Sequence, residues 1–197
     1  MLAPAFTDPV RASQAVFRSV MDAMARPGTI VAAGGLAQAP QPLGLVAAAV
    51  ALTLIDYETP VWLDPALAQS PEVAAWLRFH TGARLTDDPR QAAFGFIADP
   101  PRMPPFEAFS QGSMEYPDRA TTLVLQVERL SDNAGIWLSG PGIRGSRALS
   151  ASPLPADFAA RMRANRALFP RGLDIIVASA TMVAALPRSV HIATEQS

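Results

Sequence analysis

Sixteen arginines, two histidines (His80 and His191), and no lysine or cysteine limit the chemistry this chain can do. A Schiff base to a carbonyl or to pyridoxal phosphate needs a lysine amine. A Walker-type loop needs lysine to reach the β- and γ-phosphates. Thiolate nucleophiles, cysteine zinc sites and iron–sulfur clusters all need cysteine. Neither a G-x-S-x-G elbow nor an H-E-x-x-H helix motif occurs. What remains is a chain equipped to hold anions with arginine and to meet partners through apolar surface. Arginine-for-lysine usage and abundant alanine also follow genome composition, but the absent groups are absent either way.

Three segments concentrate the remaining chemistry. Ser139-Gly140-Pro141-Gly142-Ile143-Arg144-Gly145 follows a strand. Its amides could cradle an anion, with Arg144 and Arg147 adding charge, or it is a tight strand exit. The glycine spacing is not the dinucleotide fingerprint. Asn165 to Asp174 joins a helix to a buried strand, and Arg166, Arg171 and Asp174 could make an anion site or a polar anchor. The alternative is a helix stop of proline then glycine. His80 is either a general base or metal ligand, or a helix-end histidine that complements the dipole. No second histidine stands at metal-ligand spacing. His191 lies near the chain end and could meet His80 only in space. Asp56, Glu58 and Asp64 surround Trp62 and read as a magnesium site or as a solvated loop. The candidate anion-binding set is therefore Arg144, Arg147, Arg166, Arg171 and His80. No metal, no cofactor and no identifiable catalytic residue are expected.

The elements that must position these groups can be read from periodicity. Thr7-Asp8-Pro9 starts an amphipathic helix with Val10, Phe17, Val20, Met21 and Met24 on its apolar face. Arg11, Arg18 and Asp22 lie opposite, with Arg18 and Asp22 an i,i+4 pair. Arg26-Pro27-Gly28 ends that helix, and residues 34–42 form a loop. Leu43 to Ile55 is a helix without a polar face, buried in a core or near a subunit contact. Val61 to Leu63 is a short strand. Ser70-Pro71-Glu72 opens a helix to about His80, stopped by Gly82. Ala93 to Ile97 is a buried strand. Thr121 to Leu130 and Ile136 to Ser139 form a hairpin across a turn at 131–135. Pro155 to Phe169 is a helix, and Leu173 to Ala178 is a strand covered on both faces. Intermixed helices and strands argue for an α/β layered fold with a mixed sheet.

The 197 residues fit a single domain, 1–197. Half of the residues are hydrophobic and the mean hydropathy is +0.19, at the apolar end of the soluble range. A net charge of −1 gives no field to attract nucleic acid. The first residues have neither the basic nor the apolar region of a signal peptide. The apolar run from Leu43 to Ile55 falls short of the roughly 18 residues a membrane span needs. A soluble, cytoplasmic protein with no membrane or nucleic-acid partner is expected.

Taken together, six segments resemble one family. They are Phe17 to Gly28, Leu52 to Leu63, Leu77 to Thr81, Gly140 to Ile143, Phe169 to Asp174 and Leu186 to Ser189. In this order, and over nearly the whole chain, they resemble the PhnH family, subunits of the bacterial carbon–phosphorus lyase core complex. The resemblance implies a three-layer α/β/α sandwich like the large domain of pyridoxal-phosphate-dependent transferases, without the cofactor site. It implies a homodimer in isolation and PhnG, PhnI and PhnJ as partners in the complex. It further implies support for transfer of the ATP ribose triphosphate to a phosphonate with release of adenine. It carries over no catalytic residue.

Overall fold

The computed structural model describes residues 5–193, so the first four residues of the signal-peptide reading lie outside it. In chain order the main elements are α1 (Pro9–Ala25), β1 (Val31–Ala32), α2 (Leu45–Leu54), β2 (Pro60–Leu63), α3 (Pro65–Ala68), α4 (Pro71–Thr81) and β3 (Arg84–Leu85). They continue with β4 (Phe94–Ile97), β5 (Thr122–Gln126), β6 (Arg129–Ser139), β7 (Arg147–Ser152), α5 (Phe158–Ala167), β8 (Asp174–Ala178), β9 (Met182–Leu186) and β10 (His191–Ala193).

Seven strands form the main sheet in the order β1-β9-β8-β5-β4-β2-β3. From β8 to β3 every pairing is parallel, whereas β9 runs antiparallel to both of its neighbours. The sheet is mixed, as expected from the sequence. Parallel strands must be covered on both faces, because the connections between them cross over the sheet. Successive residues therefore enter different cores. Val124, Phe96 and Ile176 face one cluster, and Leu123, Leu125, Ile175 and Val177 face the other. Helices α1, α2 and α4 supply the first covering layer. The second layer is composite: α5, the chain between β4 and β5, and a three-stranded sheet of order β10-β6-β7.

This arrangement corrects the expected hairpin. Leu123, Val124 and Leu125 are all buried, which marks β5 as a central strand and not as a half-buried hairpin arm. Its partners are β4 and β8. The expected turn at 131–135 lies inside β6, where the pairing with β7 shifts register between Ser131 and Ile136.

Helix α2 has no polar face because its surroundings are apolar all round. Residues Val46 to Ala51 are consecutively buried. Small alanines let it lie flat on β5 while α1 and α4 close over it. Its apolar surface is thus spent inside the fold.

Helix α1 differs from the expected pattern. Its buried face is Val16, Val20 and Ala23, with Met24 half-buried, whereas Val10, Phe17 and Met21 face outward. The wheel was read about one position out of phase, because alanines on the inner face carry little signal. Asp22 pairs with Arg26 at 3.1 Å and not with Arg18. Acid before base at i,i+4 is the orientation the helix dipole favours.

Asp64 also departs from the solvated-loop reading. It is 2% exposed. Its Oδ1 accepts from the Leu67 amide and caps α3, while Oδ2 accepts from the amides of Ala98 and Asp99, all at 2.9 Å. One carboxylate thereby ties the ends of the neighbouring strands β2 and β4. Asp64→Ala deprives one buried and two part-buried amides of their acceptor and is expected to lower unfolding free energy by about 2 kcal/mol in urea denaturation. A loss below about 0.5 kcal/mol would show that water satisfies those amides.

Candidate functional site

The amino-terminal edge of the sheet carries an ion pair. Asp174 opens β8 and Arg188 follows β9, so the β8–β9 antiparallel pairing brings them side by side. The Arg188 Nη2 donates to Asp174 Oδ2 at 2.6 Å, its Nε reaches both carboxylate oxygens at 3.2 Å, and its backbone amide donates to Oδ1 at 2.8 Å. Nη1 donates to the carbonyls of Pro117 and Pro170. Both side chains are largely buried. Guanidinium geometry matches a carboxylate and two carbonyls at once, which an ammonium cannot do.

Arg166 and Arg171 are the arginines that could have joined Asp174 in an anion site or polar anchor. They do not do so, because Arg188 saturates it. Each has a buried Nε without a hydrogen-bond partner. The Arg166 guanidinium lies 4.8 Å over the half-exposed Phe169 ring. Arg166 lies in the last turn of α5 and Arg171 in the connection to β8, and Asn165 pins that connection. Asn165, buried at the end of α5, donates to the Leu173 carbonyl at 2.9 Å and accepts from the Leu173 amide at 2.7 Å. Gly172 has φ +113°, and a Cβ there would stand 2.8 Å from Asn165 Oδ1. Nothing in one dimension marks Asn165 as the clamp.

The other candidates lie elsewhere. Arg147 donates to Thr29 Oγ1, and Arg144 is exposed in the β6–β7 connection. In that connection Gly142 has φ +80°, and a Cβ would come within 2.0 Å of the Ala25 carbonyl oxygen. The glycine is needed for packing on the end of α1. His80 is on α4, with its ring 4.9 Å from both Trp76 and Phe79. That places it on the face of the sheet opposite α5. His191 is on β10 in the small sheet, beside Gly140. The five candidates thus divide among three places, and only the Arg144/Arg147 and Arg166/Arg171 pairs are local. Asp56 accepts from the Thr59 hydroxyl and the Glu58 amide, and these bonds hold its carboxyl below the ordinary value. Among the described residues no group of three or more histidines or acids is placed to hold a metal.

The sequence did not disclose a pair of crevices at the opposite, carboxyl edge of the sheet. One, of about 500 Å³, lies where β5 and β8 end and α2 begins. Gln126 spans it, accepting from the Gly44 amide at 2.6 Å and donating to the Pro42 carbonyl at 3.0 Å. The second, of about 270 Å³, is lined by Asp64, Gln69, Asp99 and Arg102. Connections leave β2 toward one face and β4 toward the other here, the switch point at which open α/β sheets bind ligands. The first crevice is lined by Ser179 and Glu128 among others, and the Ser179 hydroxyl is bonded to the Met182 carbonyl and amide.

A mixed seven-stranded sheet covered on both faces, with its amino edge held by the Arg188–Asp174 pair, defines an α/β layered protein. Residues 4–193 match the family described as bacterial phosphonate metabolism protein (PhnH), and the chain belongs to that family. It is 44% identical over 191 residues to the alpha-D-ribose 1-methylphosphonate 5-triphosphate synthase subunit PhnH of Rhizobium meliloti (strain 1021), covering 97% of this chain and 95% of that protein. It is 32% identical over 180 residues to the putative C-P lyase subunit protein HtxG of Stutzerimonas stutzeri, covering 91% and 85%.

The two arginine environments predict opposite mutational effects. Arg188→Lys loses the bidentate contact and is expected to destabilise by about 2 kcal/mol in chemical denaturation. Arg171→Met removes a buried, unpaired Nε and is expected to be neutral or slightly stabilising. If Arg171→Met proves the more damaging of the two, this division of labour is wrong.

Proposed function

We propose that this chain is a subunit of a carbon–phosphorus lyase core complex and acts by assembly, without turnover of its own. In that setting it supports transfer of the ATP ribose triphosphate to a phosphonate with release of adenine. The observation that carries this is the 44% identity, over almost the full length of both chains, to a protein named as a subunit of that synthase. The side-chain inventory is in keeping with it, since the chain has no lysine and no cysteine. The reading takes residues 1–197 as one domain with the layering of the pyridoxal-phosphate transferase large domain. It takes the chain as cytoplasmic, homodimeric in isolation, and joined to PhnG, PhnI and PhnJ in the complex. No helix among the described residues is long and apolar enough to cross a membrane.

A second reading has one observation in its favour. The unpartnered Nε atoms of Arg166 and Arg171 are donors that a phosphonate or triphosphate oxygen would satisfy. In this reading Arg144, Arg147 and His80 would contribute only from a distance.

Two measurements separate the readings. Coexpressed with the G, I and J subunits of its own organism, the chain is expected to copurify with them, and its deletion to abolish growth on methylphosphonate as sole phosphorus source. A chain that never enters the complex, or normal growth of the deletion strain, refutes the assembly reading. Calorimetric titration of the purified chain with ATP, ribose phosphates and alkyl phosphonates at millimolar concentration is expected to be silent. Binding that Arg166→Ala or Arg171→Ala removes would establish the anion-site reading instead.

A further inference from the structure

Two exposed aromatic rings at the amino edge of the sheet each carry a stacked guanidinium. Arg119 lies 4.1 Å over the Tyr116 ring, and Arg166 lies 4.8 Å over the Phe169 ring. The segments that hold these pairs are tied together. Arg188 Nη1 donates to the carbonyls of Pro117 and Pro170, the residues that follow Tyr116 and Phe169. The Gly172 amide donates to the Gln111 carbonyl at 2.9 Å and joins the same two segments again. Tyr116 is 42% exposed, Phe169 51%, and Met114, in the turn closed by the Ser113 amide and the Tyr116 carbonyl, 69%. Aromatic residues, methionine and arginine are the types enriched where proteins cover one another.

Charge decides what covers this face. Arg119, Arg166 and Arg171 take part in no ion pair among the described residues. Arg163, one helical turn before Arg166 on α5, is likewise unpaired and exposed. Against these four guanidiniums stand two exposed carboxylates of the same face, Glu115 and Asp118. The face is thus locally positive on a chain whose net charge is −1. A small anion would use the guanidiniums and leave Met114, Tyr116 and Phe169 in water. A segment bearing both carboxylates and apolar side chains would use both. Stacking on the rings also holds two of the guanidiniums in place beforehand, so less side-chain freedom is lost on docking.

We propose that the amino-edge face is a docking surface for an acidic, partly apolar segment of a different protein. Its carboxylates pair with Arg119, Arg163, Arg166 and Arg171, and its apolar side chains cover Met114, Tyr116 and Phe169. The assignment of face and chemistry stands on these contacts; it rests on the assembly reading only in taking the partner to be a companion subunit.

The test places the photocrosslinker p-benzoylphenylalanine at Phe169 or at Tyr116 in the full chain, coexpressed with the G, I and J subunits. Irradiation should link both positions to an acidic peptide of one companion subunit. The same label at Phe79, 72% exposed on α4, should not reach that peptide. Synthesised with a fluorescent tag, the peptide should bind the purified chain in anisotropy titrations. Phe169→Ala and Arg166→Glu should each weaken that binding at least about tenfold, with thermal melts unchanged. Raising salt from about 50 to about 500 mM should also weaken it. A complex that assembles without a crosslink from either position overturns the proposal and leaves the assembly reading standing. So does a crosslinked peptide that is not acidic, or one whose binding ignores both substitutions. If no complex forms, the functional reading fails, and a tagged peptide of alternating glutamate and leucine decides the inference. Salt-sensitive binding that Arg166→Glu removes upholds it, and silence at about 1 mM peptide sinks it. Binding of ATP that Arg166→Glu removes, with no peptide bound, would assign the face to a small anion instead.

Discussion

The fold follows from one constraint: β5 and β8 must be covered on both faces. Leu123, Val124 and Leu125, then Ile175, Ile176 and Val177, are consecutive buried residues on adjacent parallel strands. Burying such side chains stabilises by about 2 kcal/mol each relative to exposure. Two outer layers are then required. The first uses the alanine-rich α2 so that α1 and α4 can close above it. The second is assembled from α5 and the small three-stranded sheet, because no further crossover helix is available on that side. The chain's high apolar content is largely accounted for by these two cores.

Polar groups fix the sheet at its two edges in different ways. At the carboxyl edge the Asp64 carboxylate gathers three amides. At the amino edge Arg188 gathers a carboxylate and two carbonyls. Each is a hub with its hydrogen-bonding capacity well used, as buried charge requires. Arg166 and Arg171, by contrast, stand outside any such hub, with only the Phe169 ring against one of them.

Elements marked by strong local chemistry were legible in the sequence. Proline at the helix starts, left-handed Gly82 and the apolar run of β8 all act within a few residues, so α1, α2, α4, α5, β2, β4 and β8 could be located. What failed was long-range. The pairing of β5 with β4 and β8 depends on residues dozens of positions away. The phase of α1 was lost because its inner face is partly alanine. The site suffered most. Nothing in one dimension shows that Arg188 takes Asp174 from Arg171, or that Asp64 turns inward from its acidic neighbours. The carboxyl-edge crevices could have been anticipated only from the strand order, which the sequence did not reveal.

On the proposed reading the chain is a support within a carbon–phosphorus lyase complex, and the reacting groups come from companion subunits. The most direct test is to incubate the purified chain alone with ATP, magnesium and methylphosphonate, and to follow phosphorus NMR and adenine release. No ribose 1-phosphonate 5-triphosphate is predicted to form until companion subunits are added. Steady turnover by this chain unaided would contradict the account.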